Sequence, residues 1–356
     1  MKKKLSVVLA VMLVLLSVSA CQSKSEPKGQ DAAAVETKAK EGEKEWRVAY
    51  VTPGGTGDNG FTDSVVSGIE RIGQDFGAKT TVVECNNDAA KYSQAVEQTF
   101  QWKPDVVFAD SYGFEELYAQ YADKYPDIKV INLDFELENE KKTISYVTFI
   151  NEEGSFLAGA LSAMVTTAGL EFSDDQKVVG FMGGKDIPVI RSFQYGFEQG
   201  VKYIDPDIKV VSTYTGDFFD PVKGKQAAKQ LFAQGADIVF QAAGRTGIGA
   251  LEAANEEGKY AIGVDSNQNG LYPGHVVASM VKDLGGAAYQ IFSDINGGTY
   301  VPATHYENGA GEGGVYLALD EYSEKALNAD IINKVKEIEQ KISAGEITVE
   351  KYQAEE

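Results

Sequence analysis

Acidic side chains recur where short apolar runs end. Asp110, Asp134 and Asp265 close PDVVFAD, IKVINLD and YAIGVD, and Lys282 follows VVASMV. A carboxylate accepts two hydrogen bonds at once and suits paired sugar hydroxyls, while a lysine ammonium supplies the complementary donors. Asp265 and Lys282 are therefore candidates either for ligand contact or for a structural ion pair. Residues 55–60 read GTGDNG, with Glu84 24 residues past Gly60, which is formally a dinucleotide fingerprint. Two features oppose that reading. Thr52, Pro53 and Gly54 intervene between the preceding apolar run and the first glycine. Asp58 would also repel a pyrophosphate seated at a helix N-terminus. What remains open is a helix start capped near Asp58 or Asn59, or a site for a neutral ligand bearing hydroxyl or amide groups. The second glycine-rich turn, GRTGIG at 244–249, either brings the backbone at Gly244 to a ligand or caps a helix. Phe61, Phe193, Phe218 and Phe219 are aromatic candidates, equally suited to a core. An offset ring stack is worth about 0.5–1.5 kcal/mol beyond burial.

Covalent chemistry finds no support. The chain has no G-x-S-x-G, H-E-x-x-H or P-loop motif, and His275 and His305 are its only histidines. The sequence reads as a binding protein with no cofactor, not as an enzyme. Its 33 Lys and Arg stand against 53 Asp and Glu, a formal charge of −20. That balance argues against nucleic acid, whose phosphates need cationic side chains. Two cysteines, Cys21 and Cys85, are too few for a disulfide scaffold or a four-ligand zinc site. The 43% hydrophobic content is ample for packed cores in a chain of 356 residues.

These candidates need elements to position them. From Trp46 the chain alternates β-branched runs with amphipathic stretches: WRVAYV before residues 61–77, TTVVEC before 89–102, PDVVFAD before 114–125, then IKVINLD and ISYVTFI before 152–169. The pattern restarts at KVVGFMGG and runs to YAIGVD. Such alternation implies βαβ units and parallel sheets. The expected fold is α/β, two doubly wound parallel-sheet lobes joined by a hinge, with a site in the cleft where strand order reverses. An N-terminal lobe is expected over 46–150, with return segments after about 275, and a C-terminal lobe over 151–328. A last helix over 329–356 would carry Ile332, Val335, Ile338 and Ile342 on one stripe.

The first 20 residues have the composition of a secretory signal. Lys2, Lys3 and Lys4 precede an apolar run from Leu5 to Ala20, too short for a bilayer span of about 20 residues. It ends Val18-Ser19-Ala20-Cys21, which resembles a bacterial lipobox, so Cys21 is expected to be lipidated and to become the first residue. Losing the three lysines takes the formal charge from −20 to −23. Acyl chains on Cys21 would tether the protein to the extracytoplasmic face of the cell membrane without spanning it. Residues 21–45 hold no aromatic residue and dense mixed charge, the composition of a flexible tether.

The lipobox, GTGDNGFTDSVVSGI, GFMGGKDIPVIRSFQYGFEQGVK, GDFFDPVKGKQAA, GADIVFQAAGRTGIGALEAA, IGVDSNQ and VVASMVKD together resemble the basic membrane protein family of bacterial substrate-binding lipoproteins, which includes purine nucleoside receptors. The resemblance implies a type I periplasmic-binding-protein fold serving an ABC transporter permease. It implies a nucleoside base stacked between Phe61 and Phe193, with Asp58, Asn59 and Asp134 near the base or the cleft floor. Asp265, Lys282 and the turn at Gly244 would hold the ribose. Relatives of the same fold suggest riboflavin, a pentose or a signal molecule as the alternative ligand. Arg245, Asn267 and Asp110-Ser111-Tyr112 depart from the family pattern.

Overall fold

The computed structural model describes residues 44–354 apart from Asp175. The expected signal segment, Cys21 and almost all of the expected tether lie outside the described residues.

The first run comprises β1 (Arg47–Thr52), α1 (Phe61–Phe76), β2 (Lys79–Glu84), α2 (Tyr92–Gln101), β3 (Val106–Ala109), α3 (Glu115–Lys124), β4 (Lys129–Leu133) and β5 (Ile144–Phe149). The second comprises α4 (Asn151–Thr167), β6 (Val178–Gly183), α5 (Pro188–Ile204), β7 (Lys209–Tyr214), α6 (Pro221–Ala233), β8 (Ile238–Ala242), α7 (Arg245–Glu257), β9 (Tyr260–Asp265) and β10 (Val276–Lys282). The chain closes with α8 (Leu284–Gly297), β11 (His305–Asn308), β12 (Val315–Ala318), α9 (Glu321–Ala326) and α10 (Ala329–Ser343).

The strands form two six-stranded sheets, ordered β11-β5-β4-β3-β1-β2 and β12-β10-β9-β8-β6-β7. Every pairing is parallel except β10 with β12, so the second sheet carries one antiparallel edge. Sequence periodicity explains why these runs are strands. In β1, Val48 and Tyr50 join one buried cluster while Ala49 and Val51 join another on the opposite face. In β8, Ile238 and Phe240 alternate with Val239 in the same way. A strand covered on both faces must be apolar at every position, as parallel sheets require. Each fully buried Val, Ile or Phe adds roughly 1.5–3 kcal/mol of hydrophobic stabilisation.

Two details differ from the sequence expectation. Strand β10 stays in the second sheet, between β9 and β12; the return to the first lobe begins with α8, which packs on α1, and ends with β11 beside β5. The α1–α8 contact depends on Gly68 and Gly285, because a Cβ on Gly68 would collide with the Gly285 backbone. The helix expected across 329–356 ends at Ser343. Gly345 adopts φ 72° there, and its amide donates back to the Ile342 carbonyl, a glycine stop. The stripe Ile332, Val335, Ile338 and Ile342 is buried.

Candidate ligand-binding cleft

Strand order reverses between β1 and β3 in the first sheet and between β6 and β8 in the second. Such switch points open a crevice beyond the carboxyl ends of the strands. A cavity of about 550 Å³ lies there, with Pro53, Gly54 and Asp110 on one side and Ala242 and Gly244 on the other. Of the residues singled out from the sequence, Asp58, Phe61, Asp134, Phe193, Gly244, Asp265 and Lys282 all line it.

Lys282 is the centre of this group. It is only 2% exposed, and its Nζ lies 2.7 Å from Asp134 Oδ1 and 3.8 Å from Asp265 Oδ1. Asp134 follows β4 of the first lobe, so the shorter contact crosses the cleft. The same ammonium is 5.1 Å from the Phe61 ring centroid and 5.3 Å from that of Phe193. A buried lysine is tolerable only with such partners. Burial raises the Asp265 carboxyl to about 6; Lys282 opposes the rise, while Asp134 and Asp58 add to it. Asp134 and Asp265 both hold positive φ, 82° and 65°. Left-handed backbone at non-glycine residues is costly and clusters at functional sites. Gly244 turns the chain into α7 at φ 55° and ψ −137°, a conformation open in practice only to glycine.

The GTGDNG turn resolves between its two open readings. Asp58 accepts hydrogen bonds from the amides of Gly60, Thr62 and Asp63 at 2.8–3.1 Å. Asp63 accepts from Gly57 and Asn59. The amides that would cradle a phosphate are therefore occupied by two carboxylates, and Asp58 caps α1 while forming cleft wall. Asn59 is not brought to the cleft; its side chain is exposed and borders a second, shallower depression. Its contribution is a carbonyl, which accepts from Gln268 Nε2 at 2.9 Å, beside a Ser266 hydroxyl bond to the Gly60 carbonyl at 3.0 Å. These bonds tie the α1 loop to the loop after β9.

Several cleft residues escaped the sequence reading. Asn86 and Asn87 follow β2 at φ 53° and 60°, and their place after a strand was the available signal. Glu115, Ile187 and the first turn of α5 (Pro188, Val189 and Ile190) also line the wall. At the mouth, Tyr112 meets Phe218 edge-on at 6.3 Å, and Lys185 Nζ lies 5.2 Å from the Tyr112 ring centroid. Asp110 takes a hydrogen bond from Tyr50 at 3.0 Å and one from Thr52 at 3.4 Å. Burial lifts its carboxyl to about 8, against those two hydrogen bonds and with a further push from Asp134.

A family model described as "ABC transporter substrate-binding protein PnrA-like" matches residues 46–353. Basic membrane protein A1 of Borrelia garinii subsp. bavariensis is 30% identical over 267 residues, covering 74% of this chain and 75% of that protein. Basic membrane protein A of Borreliella burgdorferi is 31% identical over 245 residues, 68% of this chain and 69% of that one. An ABC transporter system solute-binding protein from Aeropyrum pernix K1 superposes with a TM-score of 0.76 at 24% identity, covering 87% of this chain and 94% of that chain. That last likeness speaks for the two-lobed fold. With the family match across nearly the whole folded body, this chain belongs to the PnrA-like, basic membrane protein family of ABC transporter substrate-binding proteins, which implies a solute ligand and a transporter permease as partner.

Proposed function

We propose that the solute is a purine nucleoside, bound between the lobes with its base between Phe61 and Phe193 and its ribose on Asp265 and Lys282. The observation that carries this reading is the Lys282 cluster: the rings of Phe61, Phe193 and Phe149 and two carboxylates around one buried ammonium, with Phe61 and Phe193 lining the cavity. Flat apolar faces suit a base, and paired acceptors beside a donor suit vicinal hydroxyls. A cavity of about 550 Å³ lies within the usual range for small-molecule sites. Closure would follow from differential affinity, since a ligand touching both lobes stabilises the state in which both reach it.

Among the described residues no helix is long and apolar enough to cross a membrane. We infer that Cys21, once lipidated, holds the protein at the extracytoplasmic face. Cys21→Ala should release it from the membrane fraction, and full retention would remove this part of the reading.

Thermal unfolding with nucleosides, free bases, pentoses and riboflavin tests the ligand. A ligand present at a thousand times its Kd adds about 4 kcal/mol, a shift of several degrees. Stabilisation by guanosine, inosine or adenosine supports the reading. Stabilisation by riboflavin or a pentose alone would replace it.

A further inference from the structure

We propose that Asp110 reads the edge of the bound base and selects bases offering two adjacent N–H donors, the 2-amino-6-oxopurine pattern, over bases offering one or none. This rests on the nucleoside reading above and adds a specificity to it.

Position comes first. Asp110 follows β3, the strand hydrogen-bonded to β4, and Asp134 follows β4. Both residues line the same cavity, and the Asp134 charge is felt at the Asp110 carboxyl. A ring system whose one end meets the Lys282 cluster has room to lay its far edge at Asp110.

Geometry comes second. Tyr50 donates to Asp110 Oδ1 and Thr52 donates to Oδ2. Tyr50 is fully buried, and Thr52 is itself fixed by accepting the Gly54 amide at 3.1 Å. The Asp110 amide bonds to the same carboxylate; each carboxylate oxygen offers about two acceptor positions, so not all of them are filled. Two parallel acceptors on a fixed, planar group match two parallel N–H donors, the geometry of bidentate carboxylate recognition.

Charge comes third. Asp58 is spent on the start of α1, and Asp134 and Asp265 share Lys282. Asp110 forms no ion pair among the described residues. The groups around it are Tyr50 on β1, Cys85 after β2, Tyr92 on α2, Tyr118 on α3 and Asp134 after β4. Glu115 bears on the neighbouring Tyr92, and Lys91 bears on Cys85. None of those touching Asp110 brings a positive charge. A pair of ligand N–H groups therefore supplies what the protein withholds. The Asp110 carboxyl keeps its proton up to about pH 8, and two N–H donors favour the ionised form, so binding releases a proton and tightens as pH rises toward 8.

Calorimetry decides it, with guanosine, inosine and adenosine titrated into the intact protein and Asp110→Asn at pH 6 and pH 8, in two buffers of different ionisation enthalpy. The expected result is a preference of about tenfold or more for guanosine over inosine at pH 8. That preference should shrink at pH 6, and guanosine binding should release a proton. Asp110→Asn should still bind inosine but lose both the preference and the pH slope. Equal affinities for guanosine and inosine in the wild type, or an undiminished preference in Asp110→Asn, would overturn the proposal while leaving the nucleoside reading intact. Should Asp110→Asn not fold, the wild-type preference and proton release decide alone. If no nucleoside binds the wild type, the nucleoside reading fails, and this inference with it.

Discussion

Two carboxyl groups end neighbouring strands of the first lobe, and the fold treats them in opposite ways. Asp134 is given a cation: Lys282 reaches across from the second sheet to within 2.7 Å. Asp110 is given the hydroxyls of Tyr50 and Thr52 and its own amide but no ion pair among the described residues, and its carboxyl rises to about 8. The difference teaches that buried acidity has two uses in one cleft. A paired acid fixes the cation and holds the lobes in register. On the proposal above, an acid with no cation is a stored cost, recovered when a ligand brings the missing donors.

Removing the cation tests the paired side and should have the largest effect. Lys282→Ala leaves Asp134 and Asp265 facing each other without compensation, and breaking a buried pair typically costs about 3–5 kcal/mol. Denaturant unfolding should show that loss, and ligand binding should fall at least a hundredfold. A variant within about 1 kcal/mol of wild type would mean that the pair is not the structural bond described here.

The unpaired side is tested by pH, with a smaller effect. The Asp110 carboxyl holds its proton more tightly in the folded protein than in the unfolded chain, where it titrates near 4. The folded state thus binds more protons between about pH 4 and pH 8, and linkage makes stability fall as pH rises through that window, levelling off above it. Asp265, raised to about 6, adds to the fall between about pH 4 and pH 6. Asp110→Asn should flatten the upper part of the slope and melt a few degrees above wild type at pH 8. An unchanged slope between pH 6 and pH 8 would show that Asp110 titrates normally.

Much of this contrast was legible in the sequence, and some was not. Apolar runs ending in Asp or Lys mark strand ends in an α/β fold, so Asp134, Asp265 and Lys282 could be named as candidates. Their union could not be read, because Lys282 and Asp134 are separated by 148 positions and meet only through sheet order. Asp58 illustrates a limit of motif reading: an aspartate three residues before a helix fits a cap and a ligand contact equally, and here it caps α1 while lining the cavity. Strand β11, HYEN, is short, polar and half exposed, so no hydrophobic pattern announces it. The stop of α10 was missed in the sequence, where Gly345 was the available signal; its φ of 72° favours glycine.

Asn59 separates side chain from backbone and should give the smallest effect. Its side chain is exposed while its carbonyl ties the loops. Asn59→Gly keeps both the carbonyl and the positive φ, so ligand affinity should be unchanged and stability within about 0.5 kcal/mol. A large loss of affinity would restore the side chain to the site.

The central claim is that the Lys282 cluster is the ribose half of a nucleoside site. Isothermal titration of guanosine and inosine into wild type and Asp265→Ala tests it most directly. The expected result is saturable one-to-one binding in the wild type and a loss of about tenfold or more in Asp265→Ala, one carboxylate's worth of hydrogen bonds to paired hydroxyls. Full affinity in a folded Asp265→Ala, or no binding of any nucleoside to the wild type, would contradict it.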